Sequence, residues 1–456
     1  MAEVSQKKRV WGWMMFDWAS QPYNTLLLTF IFGPYFAEMV TTNLMGSGVA
    51  EELAKAKAQA YWGWGLAISG LIIAITAPIL GAFADSSGHR MAWIKLFSVF
   101  YIVGAFGLWW TAPDSFSIIW ALVFFGIGFI GMEFTTIFTN SMLPSLVPRE
   151  DTGKISGSGF ALGYWGGVLA LAIMFPLFVE NANGVTLLGN PPLLGLDGAT
   201  REGTRLVGPF VAMWFIIGMI PFFLWVREKP ADVQIEGNTR DALRGLWQTI
   251  KSLPKRHSMF AFLTSSLFYR DALNGLYGFG AIYAKGVLGW EIMMIGVFGV
   301  ISAITAAIFA YFGGRLDKKF GPKPVLIGTI LALITVCIIV VSMTRESLFG
   351  FAFAPDSQMP DIIFFICGGV IGAAGGMLQA SSRTMMVRHA DPERPTEAFG
   401  LYALSGKATA FLAPALIALV SEISGNQRIG ITPLIFLFGI SLVLLVWVKP
   451  QGDHGA

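Results

Sequence analysis

The stretch Gly81-Ala82-Phe83-Ala84-Asp85-Ser86-Ser87-Gly88-His89-Arg90 separates two long apolar runs. A second, Gly313-Gly314-Arg315-Leu316-Asp317-Lys318-Lys319-Phe320-Gly321-Pro322-Lys323, separates another two. Each reads glycine, three residues, aspartate, a short turn holding a second glycine, then a cation. Gly81 and Gly313 let helix ends approach closely. Asp85 and Asp317 can accept hydrogen bonds from a neighbouring helix N-terminus or pair with a cation. Gly88 and Gly321 permit a tight turn, and Arg90 and Lys323 close the pattern. One copy is compatible with a plain charged turn. Two copies at corresponding positions imply a chain built from two repeated halves.

The chain around them suits lipid. Of 456 residues, 55% are hydrophobic and only 13% charged, with a mean hydropathy of +0.64; a soluble domain carries about 25% charged residues. At about 20 apolar residues per span, twelve segments can be marked: 10–37, 60–84, 92–112, 117–141, 158–180, 207–226, 258–284, 291–313, 324–343, 361–381, 397–421 and 430–448. Lys and Arg in the connections that share a side with both termini outnumber those opposite about three to one, which puts both termini in the cytoplasm. Lys7-Lys8-Arg9 precedes a run too long for a signal peptide and interrupted by Asp17, so the first span is expected to be retained. The expected architecture is an all-α membrane protein, twelve transmembrane helices in two pseudo-symmetric six-helix bundles: 1–226, a cytoplasmic linker at 227–257, and 258–456. In the linker, Leu243, Leu246, Trp247, Ile250 and Leu253 recur at helical spacing among basic residues, with Asn238 as cap and Asp241 in the first turn. This predicts an amphipathic helix at the inner membrane surface or one packed under the bundle. Opposite, the loop from Asn181 to Leu206 is expected to cap the outer face.

Ionisable groups inside spans are candidates for function. On the first span, Asp17, Gln21 and Asn24 fall within about 60° on a helical wheel, and Pro22 is expected to kink or loosen the helix. The fourth span carries Glu133, Thr136 and Asn140 on one face, and the seventh carries Arg270, Asn274 and Tyr277. Asp271 diverges from Arg270, so each needs a partner elsewhere. Lys407 follows Ser405 and Gly406 on the eleventh span. Arg270 and Asp271 are candidates to flank a central polar cavity, with Asp17 or Glu133 coupling protons. A static ion network holding the lobes together fits the same residues. By depth, Asp17 suits coupling or an inner gate, and Asp271 lies closer to the midplane. Rows of glycine at every fourth position, 159–163–167 and 368–372–376, offer close helix contacts. Cys337 and Cys367 read as packing residues, the histidines fall in polar connections or the tail, and no metal pattern or cofactor motif is evident.

The repeated loop is similar to the signature of the major facilitator superfamily, G-x-x-x-D-x-x-G-x-R. The first copy matches it fully; the second has one extra residue before its glycine and Lys323 in place of arginine. Phe16-Asp17-Trp18-Ala19, Asn140-Ser141-Met142-Leu143-Pro144, Ile155 to Tyr164, Tyr269-Arg270-Asp271 and Phe399 to Gly406 further resemble the vacuole-effluxer-like branch, with bacterial permeases and autophagy-related vacuolar amino-acid exporters of fungi. The resemblance implies a twelve-helix alternating-access carrier of a small molecule, an amino acid in the first instance, in a bacterial inner membrane. The chain is expected to be a monomer, with protons as the candidate coupling ion. A carrier of drugs or sugars and a transport-inactive receptor or scaffold stay open. No nucleotide-binding loop is present, no nucleophile–base cluster suggests an enzyme, and the basic residues follow membrane topology rather than nucleic acid.

Overall fold

The computed structural model describes residues 4–181, 183–228, 239–290, 292–354 and 356–453. The expected cap at Asn238 lies outside them, as does the side chain of Asp241. The principal helices are α1 (Gln6–Pro22), α2 (Phe32–Gly46), α3 (Glu51–Ser87), α4 (Arg90–Gly107), α5 (Ile118–Ser141), α6 (Thr152–Leu177), α7 (Val207–Trp225), α8 (Thr239–Ser252), α9 (His257–Gly286), α10 (Ile292–Phe320), α11 (Pro322–Ser342), α12 (Met359–His389), α13 (Pro395–Lys407), α14 (Leu412–Ser424) and α15 (Thr432–Leu445). Among the described residues, 10 helical segments are long and apolar enough to cross a membrane. The 30-residue α9, polar at its middle, and the shorter Ile429–Leu445 occupy the other two expected spans.

The first span is not one helix. After Pro22 the backbone runs as a π-helix over Tyr23–Phe30 before α2 begins. Pro22 has no amide to donate, and the wider turn closes with the Ile31 amide on Leu26 O at 2.9 Å. The loosening expected at Pro22 therefore spreads over eight residues and includes Asn24.

Two compact units form. One comprises Met1–Thr76, Gly88–Thr139 and Leu162–Val233; the other comprises Ala77–Ser87, Asn140–Ala161 and Gln234–Ala456. In the first, α1 lies on α7: a Cβ on Gly12 would stand 2.9 Å from Pro221 O, and one on Gly218 2.7 Å from Ala19 Cβ. Trp18 stacks on Trp214 at 5.4 Å. Tyr23 donates to Phe125 O at 2.7 Å and meets Tyr101 edge-on. The loop before α7 is pinned by buried Glu180, which accepts from the Thr204 hydroxyl (2.6 Å) and pairs with Arg201 (3.3 Å).

In the second unit, the 368–372–376 row packs α12 on α10. A Cβ at Gly372 would lie 2.0 Å from Ser302 O, and one at Gly376 2.6 Å from Ala306 O. Carbon at these positions would force the helices apart, which explains the row. On α8, Leu246 is buried, while Leu243, Trp247 and Ile250 are exposed. The helix thus meets this unit on one side and keeps an apolar edge outward.

Candidate functional site

The first copy of the repeated loop holds a helix start by hydrogen bonds, and the second packs against one. Asp85 accepts from the main-chain amides of Thr396 (Oδ1, 3.2 Å) and Glu397 (Oδ2, 2.7 Å), the first turn of α13. A carboxylate suits the positive end of a helix dipole. Gly81 lets the chains approach, since a Cβ there would meet Thr396 O at 2.6 Å, and Gly400 lies in the same way on Ala77 O at 2.5 Å. In the second copy Asp317 is fully buried and accepts from Ser381 Oγ at 2.7 Å. The first turn of α6 sits beside it: a Cβ on Gly153 would meet Asp317 Cβ at 2.4 Å, and one on Gly157 would meet Ala310 O at 2.4 Å. The backbone contact falls to Gly314, opposite Gly153 O, whereas Gly313 faces the Met377 side chain.

Gly88 (φ 64°) and Gly321 (φ 84°) take the left-handed conformation the turns require. The closing positions also serve helix ends. The Arg90 and Met91 amides donate to Glu228 at 2.9 and 3.1 Å, capping α4. Lys323 Nζ donates to Val448 O (2.8 Å) and Val446 O (3.3 Å), carbonyls just beyond α15.

Two corrections concern α12. Its apolar segment ends near residue 381 in the sequence, which leaves Arg383, Arg388 and His389 to a polar connection. The helix runs on to His389, and all three are buried. Arg383, 2% exposed, donates to Ser156 Oγ (2.9 Å), Ser156 O (2.7 Å) and Asn140 Oδ1 (3.1 Å), and lies 4.1 Å from the centre of the Phe160 ring. Asn140 thus spends its carbonyl on an arginine from α12. The signal that could have found Arg383 is the polar run Ser381-Ser382-Arg383-Thr384 between apolar residues. His389 bonds Ser258 Oγ at 2.7 Å and stacks on Phe262. The chain after α15 is woven into the same region. Asp453 accepts from the Ser258 and Met259 amides, Arg388 donates to Pro450 O, and Arg149 donates to Arg388 O and Gln451 O.

The eleventh span, expected as one helix over 397–421, is broken between Lys407 and Leu412. The two charges at the middle of α9 meet its halves. Arg270 donates to Tyr402 O at 2.8 Å and stacks over the Tyr402 ring at 4.3 Å, on α13. Asp271 Oδ2 accepts from the Ala413 amide at 2.8 Å, in the first turn of α14. Asp271 is only 1% exposed, and its Oδ1 has no hydrogen-bond partner among the described residues. It is therefore buried against the first turn of α14. Asn274 and Tyr277, on the Arg270 face, are exposed, and Lys407 is half-buried. The hydroxyl of Ser382 joins those of Tyr269 and Tyr402 beside Arg270.

In the first unit Asp17, Gln21, Asn24 and Glu133 are all half-buried. Asn24 Nδ2, in the π-helix that follows α1, approaches Sδ of Met132, the residue before Glu133, at 3.9 Å. Gly163 and Gly167 of α6 lie against α1, where an added Cβ would come within 3.0 Å of Asp17 O and 3.2 Å of Gln21 Cγ, respectively. Glycine at these two positions lets α6 lie close against the polar stripe.

A family model described as "Vacuole effluxer Atg22 like" matches residues 5–452. The chain is 26% identical over 445 residues to "Uncharacterized MFS-type transporter YxiO" of Bacillus subtilis (strain 168), covering 96% of this chain and 94% of that one. To Autophagy-related protein 22-1 of Neosartorya fischeri it is 24% identical over 316 residues, 65% of this chain and 48% of the fungal one, so the match spans about half the fungal protein. Among solved structures, the proton:xylose symporter XylE superposes with a TM-score of 0.72 at 13% identity, covering 98% of both chains. The E. coli fucose:proton symporter FucP superposes with a TM-score of 0.68 at 15% identity, covering 96% of this chain and 98% of that one. With the matched residues running almost end to end and the helices in the major facilitator arrangement, the chain belongs to the Atg22-like vacuole-effluxer family and is an integral membrane transporter of the major facilitator type.

Proposed function

We propose that this transporter moves a small polar solute, an amino acid in the first instance, by alternating access across a bacterial inner membrane, with both termini cytoplasmic and protons as the coupling ion. The observation that carries the reading is the seating of the Asp85 carboxylate on the first turn of α13. A cap of that kind holds a helix end through charge and two hydrogen bonds, with no covalent link to break. It suits a latch that closes one side of a carrier and releases it. The half-buried stripe of Asp17, Gln21, Asn24 and Glu133 is the substrate or proton surface of the first unit, and Arg270, Asn274 and Lys407 are that of the second. Asp271 serves as a cap on α14, and Arg383 as a brace for Asn140 and Ser156.

The test is counterflow in proteoliposomes loaded with single amino acids, with and without a pH gradient. Uptake of labelled amino acid that exchanges with the loaded one supports the reading. Exchange with sugars or drugs but with no amino acid overturns the substrate class. Failure of every solute to exchange favours the receptor or scaffold reading. A flux indifferent to the gradient, and retained by Asp17→Asn and Glu133→Gln, removes proton coupling through these residues.

A further inference from the structure

An apolar slot of about 590 Å³ opens on the side of the second unit, walled by α10 and α11 and floored by α12. Its walls include Phe309, Leu316 and Phe320 on α10 and Val325 on α11; Gly328 and Gly369 leave it hollow. A Cβ on Gly328 would meet nothing within 4 Å, and one on Gly369 only Thr305 Cγ2 at 3.8 Å. The two hydroxyls in the lining are satisfied by their own helices, Thr305 on Ile301 O and Thr329 on Leu326 O. The slot therefore offers no polar anchor to a water-soluble solute.

Its surroundings match hydrocarbon. Phe320 and Ile366 are 58% and 61% exposed at its edge, an exposure that is at home only in lipid in a transporter of this kind. From Thr305 to Phe320 the α10 wall rises about 22 Å at 1.5 Å per residue. One leaflet of hydrocarbon is about 15 Å deep, so an acyl chain can lie along the wall.

One end of the slot is basic. Arg315, Lys318, Lys319 and Lys323 cluster where α10 turns into α11. Three are engaged by protein: Lys318 pairs with Asp151 at 2.5 Å, Lys323 serves the carbonyls beyond α15, and Arg315 lies on the Tyr311 ring and carbonyl. Lys319 is exposed, and its ammonium stands 5.0 Å from the centre of the Phe320 ring, the slot's end wall. A cation placed beside the mouth of a hydrocarbon slot fits an amphiphile with an anionic head.

We propose that the slot binds one acyl chain of an anionic phospholipid, with the lipid phosphate on Lys319. The inference rests on the membrane reading but not on transport, because lipid retention is measured without any substrate.

The test is native mass spectrometry of the full chain released from nanodiscs containing equal phosphatidylglycerol and phosphatidylcholine of matched acyl chains. The wild type should retain phosphatidylglycerol over phosphatidylcholine by about fivefold, the value of one lysine at an anionic surface. Lys319→Glu should abolish the preference. Gly328→Leu and Gly369→Leu, which place carbon in open space, should lose the retained lipid while unfolding at the wild-type temperature. Equal retention of both lipids by the wild type, or undiminished phosphatidylglycerol on both filled-slot variants, overturns the proposal. Displacement of the lipid by glycerol phosphate alone would also overturn it, because the headgroup would then bind without the slot.

Discussion

Arg270 and Asp271, neighbours in the chain, hold opposite sides of one interruption in a helix. The guanidinium bonds Tyr402 O on α13, and the carboxylate bonds the Ala413 amide on α14. Each charge sits where the half-helix dipole favours it, the cation towards a C-terminal end and the anion at an N-terminal end. Adjacent residues diverge on a helix, so the pair cannot neutralise itself and is free to reach both halves. With Asp85 at the other end of α13, that half-helix is gripped at both ends by charges from outside it.

Removing the Asp271 carboxylate tests the cap on α14. Asp271→Ala leaves the Ala413 amide buried without its acceptor, which should cost about 1–3 kcal/mol. Asp271→Asn retains an acceptor oxygen and should lose less. Thermal unfolding in one detergent should rank wild type, Asn, then Ala; equal midpoints for the three would deny the cap.

Asp85→Ala should weaken the hold on α13 by about 0.5–2 kcal/mol, the range for a lost helix cap. At about 1 kcal/mol the open population rises roughly fivefold. Ser141, buried and bonded to Thr396 Oγ1 at 3.0 Å, reports on this contact. The rate at which maleimide labels a Ser141→Cys protein should rise severalfold when Asp85 is also replaced. An unchanged rate would show that the latch is not held there.

Two glycine substitutions should differ, one destabilising and the other not. Gly372→Ala puts a Cβ 2.0 Å from Ser302 O, a backbone atom, so α10 and α12 must part and the unfolding temperature should fall. Gly278→Ala meets nothing within 4 Å and should be neutral or raise stability by about 0.4–1 kcal/mol. Equal effects would contradict close packing of the 368–372–376 row.

Arg383 braces Asn140 and Ser156 through three hydrogen bonds. Lys lacks the planar fork and cannot reproduce them, so Arg383→Lys should lose most of the stability that Arg383→Ala loses. A double-mutant cycle between Arg383→Ala and Asn140→Ala should show a coupling of about 0.5–3 kcal/mol. Additive losses in the unfolding free energies would mean that the contact contributes nothing.

Much of the fold was legible because its signals are local. Apolar runs, the alternation of basic connections and the paired Gly-x-x-x-Asp loops each sit within a short window, and lipid enforces them segment by segment. Pro22 announced a disturbance in the first span, though not its extent as a π-helix over Tyr23–Phe30. The site was less legible. Arg383 and His389 passed for connection residues because hydropathy falls before a helix ends. Gly406 and Pro414 flank the break at residues 408–411, and Pro414 has no amide to return to Ala410 O, but neither says which side chains meet the two halves.

The sequence by itself determined a two-halved bundle of membrane-spanning helices, the family, and the residue types that interrupt the lipid-compatible spans. Only the tertiary structure decided which of those residues meet. Asp85 finds its amides 311 and 312 residues away, Asp271 finds its own 142 residues away, and Arg383 reaches back 243 residues to Asn140. A buried charge must be satisfied by whatever packing brings to it, and that depends on three-dimensional proximity, which no local pattern encodes.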